Sequence, residues 1–132
     1  MIFEPRYLEK IKGRITVLDS AGELFAAALV YLGYPGNDVD PRHWGEAAAV
    51  IKRAKPYWAA FNSSSYIKEL TLGNVWVVQG YSGDIFQANN DARAAGRKFS
   101  VLAGIPREGA VLAVDNMVID KNAARPDLAP CS

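Results

Sequence analysis

Apolar and polar positions change their spacing repeatedly along the chain, from short apolar runs to i, i+3, i+4 repeats and back. Residues 15–18 form a β-branched and apolar run that ends at Asp19 and Ser20, the pattern of a strand feeding a helix. Ser20 is the expected N-cap. Glu23 lies three residues on, giving Ser-x-x-Glu, and Leu24, Phe25, Ala28, Leu29 and Leu32 recur at helical spacing until Gly33 stops them. A turn-rich loop over 34–39 (YPGNDV) follows, and Asp40 then caps a second helix with Pro41 in its first turn. That helix is expected to run to about Ala54, before Pro56.

The second half repeats the alternation. Residues 57–61 are apolar and aromatic and read as a strand, Asn62, Ser63, Ser64 and Ser65 offer caps for a helix through Leu70, and Gly73 closes it. Residues 75–78 read as a buried strand, residues 83–95 as an amphipathic helix ending near Gly96, and residues 99–103 as a further strand. Residues 110–114 and 117–119 are the last apolar runs, split by Asp115 and Asn116, and 122–132 reads as a frayed, turn-rich tail. This order predicts one α/β domain of three layers over residues 1–132, a mixed, mostly parallel sheet with helices on both faces.

Composition narrows the function. The 132 residues suffice for a single core, half of them are apolar, and no stretch of 18 consecutive apolar residues occurs. Fifteen Lys and Arg nearly balance fourteen Asp and Glu without a run of either sign, so no nucleic-acid partner is expected. The single cysteine, Cys131, gives no basis for a disulfide or a metal cluster, and no cofactor is expected. Residues 1–6 (MIFEPR) lack the basic start and apolar run of a signal peptide, so the chain as written is expected to stay in the cytoplasm.

The stretch 80–84 (GYSGD) stands at a strand-to-helix turn, where open α/β sheets hold ligands. Two glycines let backbone approach a bound group, Tyr81 offers a flat face and Asp84 a carboxylate, a combination suited to a small organic cation. If the strands are parallel, Ser20 with Glu23 and Tyr81 with Asp84 share one sheet edge, and Asp115, ending a later run, joins them. Each acid also has an ordinary reading: Glu23 as a capping-box partner, Asp84 as a first-turn acid complementing the helix dipole, Asp115 as a turn former. Clustered carboxylates nevertheless repel unless a cation lies between them. Trp44 and Trp58 read as packing aromatics, Trp76 as core, and His43, the sole histidine, as solvated. The stretch departs from the hydrolase pattern Gly-x-Ser-x-Gly at Asp84, and His43 comes too early to serve as its base, so no enzyme is expected.

Ordered segments along residues 3–128 resemble the second lobe of the periplasmic polyamine-binding proteins, above all the putrescine-binding receptors of bacterial ABC transporters. They are residues 18–20 (LDS) with Glu23; 26–29 (AAAL) with 31–33 (YLG); 53–57 (RAKPY); 61–64 (FNSS) with Tyr66 and Ile67; 80–84; 87–89 (QAN) with Ala92; 105–110 (IPREGA); and 125–127 (RPD). The resemblance implies a type II periplasmic-binding-protein lobe with a ligand cleft completed by a first lobe that has no counterpart here. It implies polyamines such as putrescine or spermidine as ligands, a periplasmic location, and an ABC permease as partner of full-length relatives. It carries ligand-binding roles onto Glu23, Asp84 and Asp115 as the acids that pair ammonium groups, and onto Tyr81 as the aromatic wall. Ala113 stands where the family commonly has a further aromatic. Half a cleft is expected to bind weakly, and the alternative expectation is a module that pairs with a second copy of itself as a homodimer.

Overall fold

The computed structural model describes residues 2–116 and 118–125. Ile15–Val17 forms β1, and all three residues are buried. Ala21–Leu32 follows as α2 and Pro41–Ala54 as α3, with the expected caps: the Ser20 side chain accepts from the Glu23 amide, and Asp40 accepts from the Arg42 amide ahead of Pro41. Gly33 ends α2 with φ 88°, and the Gly33 and Tyr34 amides return to the carbonyls of Val30 and Leu29, a closure that needs the left-handed backbone glycine takes without strain. Ala60–Phe61 is β2, Tyr66–Leu72 α4, Val77–Val78 β3 and Ser82–Ala94 α5.

The strand order is β2-β1-β3, and both pairings are parallel. Thr16 pairs with Ala60 on one side and Val78 on the other, while Ile15 pairs with Val77. This register sorts the side chains. Ile15, Val17 and Val77 join a core built with Leu24, Leu29, Ala47, Val50 and Trp58, and Val78 packs instead with Leu70, Val75 and Ala88. The sheet therefore carries α2 and α3 on one face and α4 and α5 on the other, as right-handed crossovers from a central β1 require. Among the described residues the sheet has three short strands, all parallel.

Several expectations are corrected. Residues 99–103 form no strand. Val101 packs against the Leu70, Val75 and Ala88 cluster, and its amide donates to Asn89 Oδ1, so a side chain of α5 takes the backbone bond that a neighbouring strand would. Residues 110–116 are irregular as well. A short helix, α1 (Pro5–Leu8), and the turn after it precede β1 and were not expected; Leu8 is fully buried there. Trp76 is not core: it lies before β3, is 61% exposed, and carries the Arg14 guanidinium over its ring at 5.6 Å. His43 is not solvated either, because its Nδ1 lies 2.9 Å from Asp38 Oδ2 and its ring stacks on Tyr34 at 3.8 Å. The Asp40 amide and then His43 hold the Asp38 carboxyl below the usual range. The tail from 126 and Cys131 lie outside the described residues.

Candidate functional site

β1 and β3 are neighbours, yet the helices that follow them leave toward opposite faces of the sheet. Such a divergence opens a crevice at the carboxyl ends of two adjacent parallel strands, the usual ligand position in this architecture. The first turns of α2 and α5 border it. Ser20 and Glu23 follow β1, and Tyr81 and Asp84 follow β3, so both pairs stand after the carboxyl ends of neighbouring parallel strands. A direct link spans the two sides: the Gln79 Nε2 group at the end of β3 donates to the Glu23 carbonyl at 3.3 Å.

On the α2 side the capping box is half formed. Ser20 Oγ accepts from the Glu23 amide at a long 3.4 Å, but the Glu23 carboxylate makes no return bond to Ser20 and has no partner among the described residues. That leaves the half-buried carboxylate free to pair a cation, which the capping reading alone does not explain. On the β2 side of this helix start a hollow of about 190 Å³ is lined by Asp19, Ser20, Leu24, Phe25 and Phe61. Ser63 Oγ accepts from the Asp19 amide at 2.8 Å and so ties the ends of β1 and β2 together along this edge.

The α5 side is built around Tyr66, the first residue of α4. Its ring is buried, and its hydroxyl donates to Asp84 Oδ2 in a short hydrogen bond while accepting from the Tyr81 amide at 3.2 Å. A Cβ on Gly80 would fall 2.6 Å from Tyr66 Cε2, so only glycine lets the strand end pass this ring. Burial, and then the Asp84 hydrogen bond, push the Tyr66 phenol up to about 12, so the hydroxyl keeps its proton and donates throughout the neutral range. Tyr81 itself is the N-cap of α5 yet makes no side-chain cap bond, and its ring is 51% exposed.

Asp115 stands apart. It is exposed in the irregular segment after Val114, and no hydrogen bond or ion pair ties it to Glu23 or Asp84 among the described residues. Ala110, Val111 and Leu112 instead line a hollow with Val30, Gly36 and Asn37, toward the far end of α2. Sequence reasoning missed Tyr66 and Gln79 as parts of the site. Gln79 had a readable signal, a polar residue closing an apolar strand just before 80–84; Tyr66 stood after a run of caps and among the segments of the resemblance, with no role attached to it.

Residues 6–130 match the family described as bacterial extracellular solute-binding protein. The chain is 67% identical over 129 residues to a putrescine/cadaverine-binding protein of Pseudomonas aeruginosa, a match that covers 98% of this chain and 36% of that protein. It is 34% identical over 131 residues to the putrescine-binding periplasmic protein PotF of Escherichia coli, covering 98% of this chain and 35% of that one. The chain thus spans about a third of the length of these relatives, which are binding proteins and not enzymes. Among solved structures, the spermidine/putrescine ABC transporter substrate-binding protein PotD of Streptococcus pneumoniae shares the fold with a TM-score of 0.63 at 23% identity, over 70% of this chain and 27% of that one. The TpPotD lipoprotein of Treponema pallidum does so with a TM-score of 0.61 at 24% identity, over 71% of this chain and 28% of that one. An α/β architecture shared with these structures and a sequence match running almost end to end lead to one assignment: the chain belongs to the family of bacterial extracellular solute-binding proteins.

Proposed function

We propose that the chain binds small organic cations, putrescine, spermidine or related polyamines, as one lobe of a two-lobed transport receptor. The observation that carries this reading is that β1 and β3, neighbouring parallel strands, each run into a helix with an acid in its first turn, one of them, Glu23, with no side-chain partner among the described residues. Desolvating an ammonium group is costly unless its hydrogen bonds are replaced, and two carboxylates across a crevice replace them. The exposed Tyr81 ring supplies an apolar and cation-attracting wall, and Ser20 lies beside Glu23; Asp115 belongs to the proposed set on the resemblance alone. Relatives named for putrescine, cadaverine and spermidine support the ligand class. The whole receptor is proposed to work in the periplasm with an ABC permease.

A complete cleft with micromolar affinity corresponds to about −8 kcal/mol, so a single lobe contributing half of that binds near millimolar. A two-dimensional amide NMR spectrum of the labelled chain, titrated with putrescine and then spermidine at low salt, tests this. Saturable shifts at Glu23, Tyr81, Asp84 and Asp115 are expected. A dispersed spectrum with no local shifts up to tens of millimolar ligand sinks the proposal.

A second reading, self-association into a homodimer, is favoured by one observation: Leu102, Ile105, Leu112, Val114 and Val118 are each more than 70% exposed along one irregular segment. Apolar surface of this kind favours burial against a second copy. Light scattering that returns only the monomer mass at high protein concentration removes this reading and leaves the first untouched.

A further inference from the structure

We propose that the buried Tyr66 hydroxyl organises the cation site, holding the Asp84 carboxylate and the Tyr81 backbone together so that one Asp84 oxygen and the Tyr81 ring present to the crevice as a unit. This inference rests on the binding reading above and adds to it a positioning residue that contacts no ligand.

The argument is one of hydrogen-bond capacity. A phenol has one donor and room to accept, and Tyr66 uses both: its O–H donates to Asp84 Oδ2, and its oxygen accepts from the Tyr81 N–H. An ionised carboxylate only accepts, so the direction of the first bond is fixed. With Oδ2 engaged, Oδ1 keeps its lone pairs, and the anchored side chain loses less freedom when an ammonium arrives. The same hydroxyl fixes the Tyr81 backbone, from which the aromatic wall projects. Two chemically different contacts, one for charge and one for the methylene chain, thus depend on one atom that belongs to neither residue.

The geometry around Tyr66 is closely fitted for this role. Its ring is 1% exposed and lies against Gly80, where no other residue leaves room for it. α4 therefore delivers a side chain across the end of β3 to the first turn of α5. The opposite side of the crevice has no equivalent: the Glu23 carboxylate has no anchor among the described residues, and the bonds to Ser20 and Gln79 hold only its backbone.

Y66F removes the hydroxyl and keeps the ring. In the labelled 132-residue chain, Y66F is expected to weaken putrescine binding about tenfold, equivalent to about 1.4 kcal/mol, while the amide spectrum stays dispersed. In the free protein, the Asp84 carboxylate carbon and the Tyr81 amide should move, with Leu24 and Ala28 in place. On adding putrescine, shifts should persist at Glu23 and be lost at Asp84. The free-protein shifts report only that the two bonds are gone; a merely structural tyrosine leaves the affinity and the putrescine-induced shift at Asp84 unchanged. Unchanged affinity, an unmoved Asp84 carboxylate carbon, or a collapsed Y66F spectrum each overturn the inference, the last because the hydroxyl then serves the fold. If unaltered protein shows no shift with putrescine, the binding reading itself has failed. If it binds and Y66F binds equally, this inference alone has failed.

Discussion

α2 and α5 begin at the same sheet edge with the same local pattern, a small residue, a glycine and then an acid as the first three helical residues: Ala21, Gly22 and Glu23 in one, Ser82, Gly83 and Asp84 in the other. They are held in opposite ways. At α2 the cap is satisfied by the Ser20 side chain and the carboxylate is left without a partner among the described residues. At α5 the cap residue Tyr81 contributes no side-chain bond, and the carboxylate is anchored by a buried phenol. Position in a helix therefore does not assign a role to an acid; what the side chain meets does. In the proposed site α2 would offer an unpartnered counter-charge and α5 an anchored one, a division suited to a flexible diamine.

The strongest way to break this comparison is to neutralise each acid in turn. Asp84→Asn keeps an oxygen for the Tyr66 hydroxyl, so the domain should stay folded while diamine binding falls by more than tenfold, beyond the range of the titration. Glu23→Gln should cost about threefold to tenfold, because an unanchored carboxylate loses more side-chain entropy on pairing and contributes less to begin with. Paired NMR titrations of the two variants read the difference. Retained binding in Asp84→Asn removes Asp84 from the site, and a larger loss in Glu23→Gln reverses the division of labour.

Much of this edge was legible in the sequence, for reasons that are local. Ser20, Glu23 and Gly33 bracket α2 because caps and left-handed closures depend on residues within a turn of each other, and Asp40 with Pro41 marks α3 in the same way. The parallel alternation placed Ser20 and Tyr81 after neighbouring strands of one sheet. What escaped depends on side-chain reach across the fold. Tyr66 and Asp84 are 18 residues apart, and nothing in either neighbourhood announces their bond. The expected strand over 99–103 failed for a related reason: an apolar run becomes a strand only beside a partner strand, and here Asn89 of α5 takes the Val101 amide. Trp76 misled because β3 begins one residue later, at Val77, and leaves the Trp76 ring exposed beneath the Arg14 guanidinium.

Alkaline pH sharpens the comparison, since Asp84 is bonded to a phenol with a shifted pKa while Glu23 has no such partner among the described residues. The Tyr66 pKa is raised from 10.0 to about 12, so the folded state favours the protonated form more than the unfolded chain does. Its contribution to stability is complete below about pH 10 and is lost as pH rises toward about 12. Tyr31 and Tyr34 shift in the same direction, Tyr31 mainly through burial and Tyr34 through its Glu46 hydrogen bond, and add to the same limb. Denaturant midpoints measured from pH 8 to 11.5 should fall along this limb, less steeply in Y66F. Identical slopes for the two proteins show that the Tyr66 hydroxyl does not favour the folded state through its proton.

The smallest effect comes from exchanging the two cap positions for alanine, and it separates stability from binding. Ser20→Ala removes the only side-chain cap of α2 and should cost about 1 kcal/mol, the usual value for an N-cap serine and toward the low end given the 3.4 Å bond. A loss of that size moves the melting midpoint by a few degrees. Tyr81→Ala removes no cap bond and a ring that is half exposed, so the midpoint should barely change while putrescine affinity falls severalfold. Thermal melts and titrations on both variants give four numbers with opposite patterns. If Tyr81→Ala instead destabilises the chain as much as Ser20→Ala does, its ring is part of the packing, and the wall of the proposed cleft must be sought elsewhere, with Phe25 and Phe61 beside Ser20 the next aromatics on that edge.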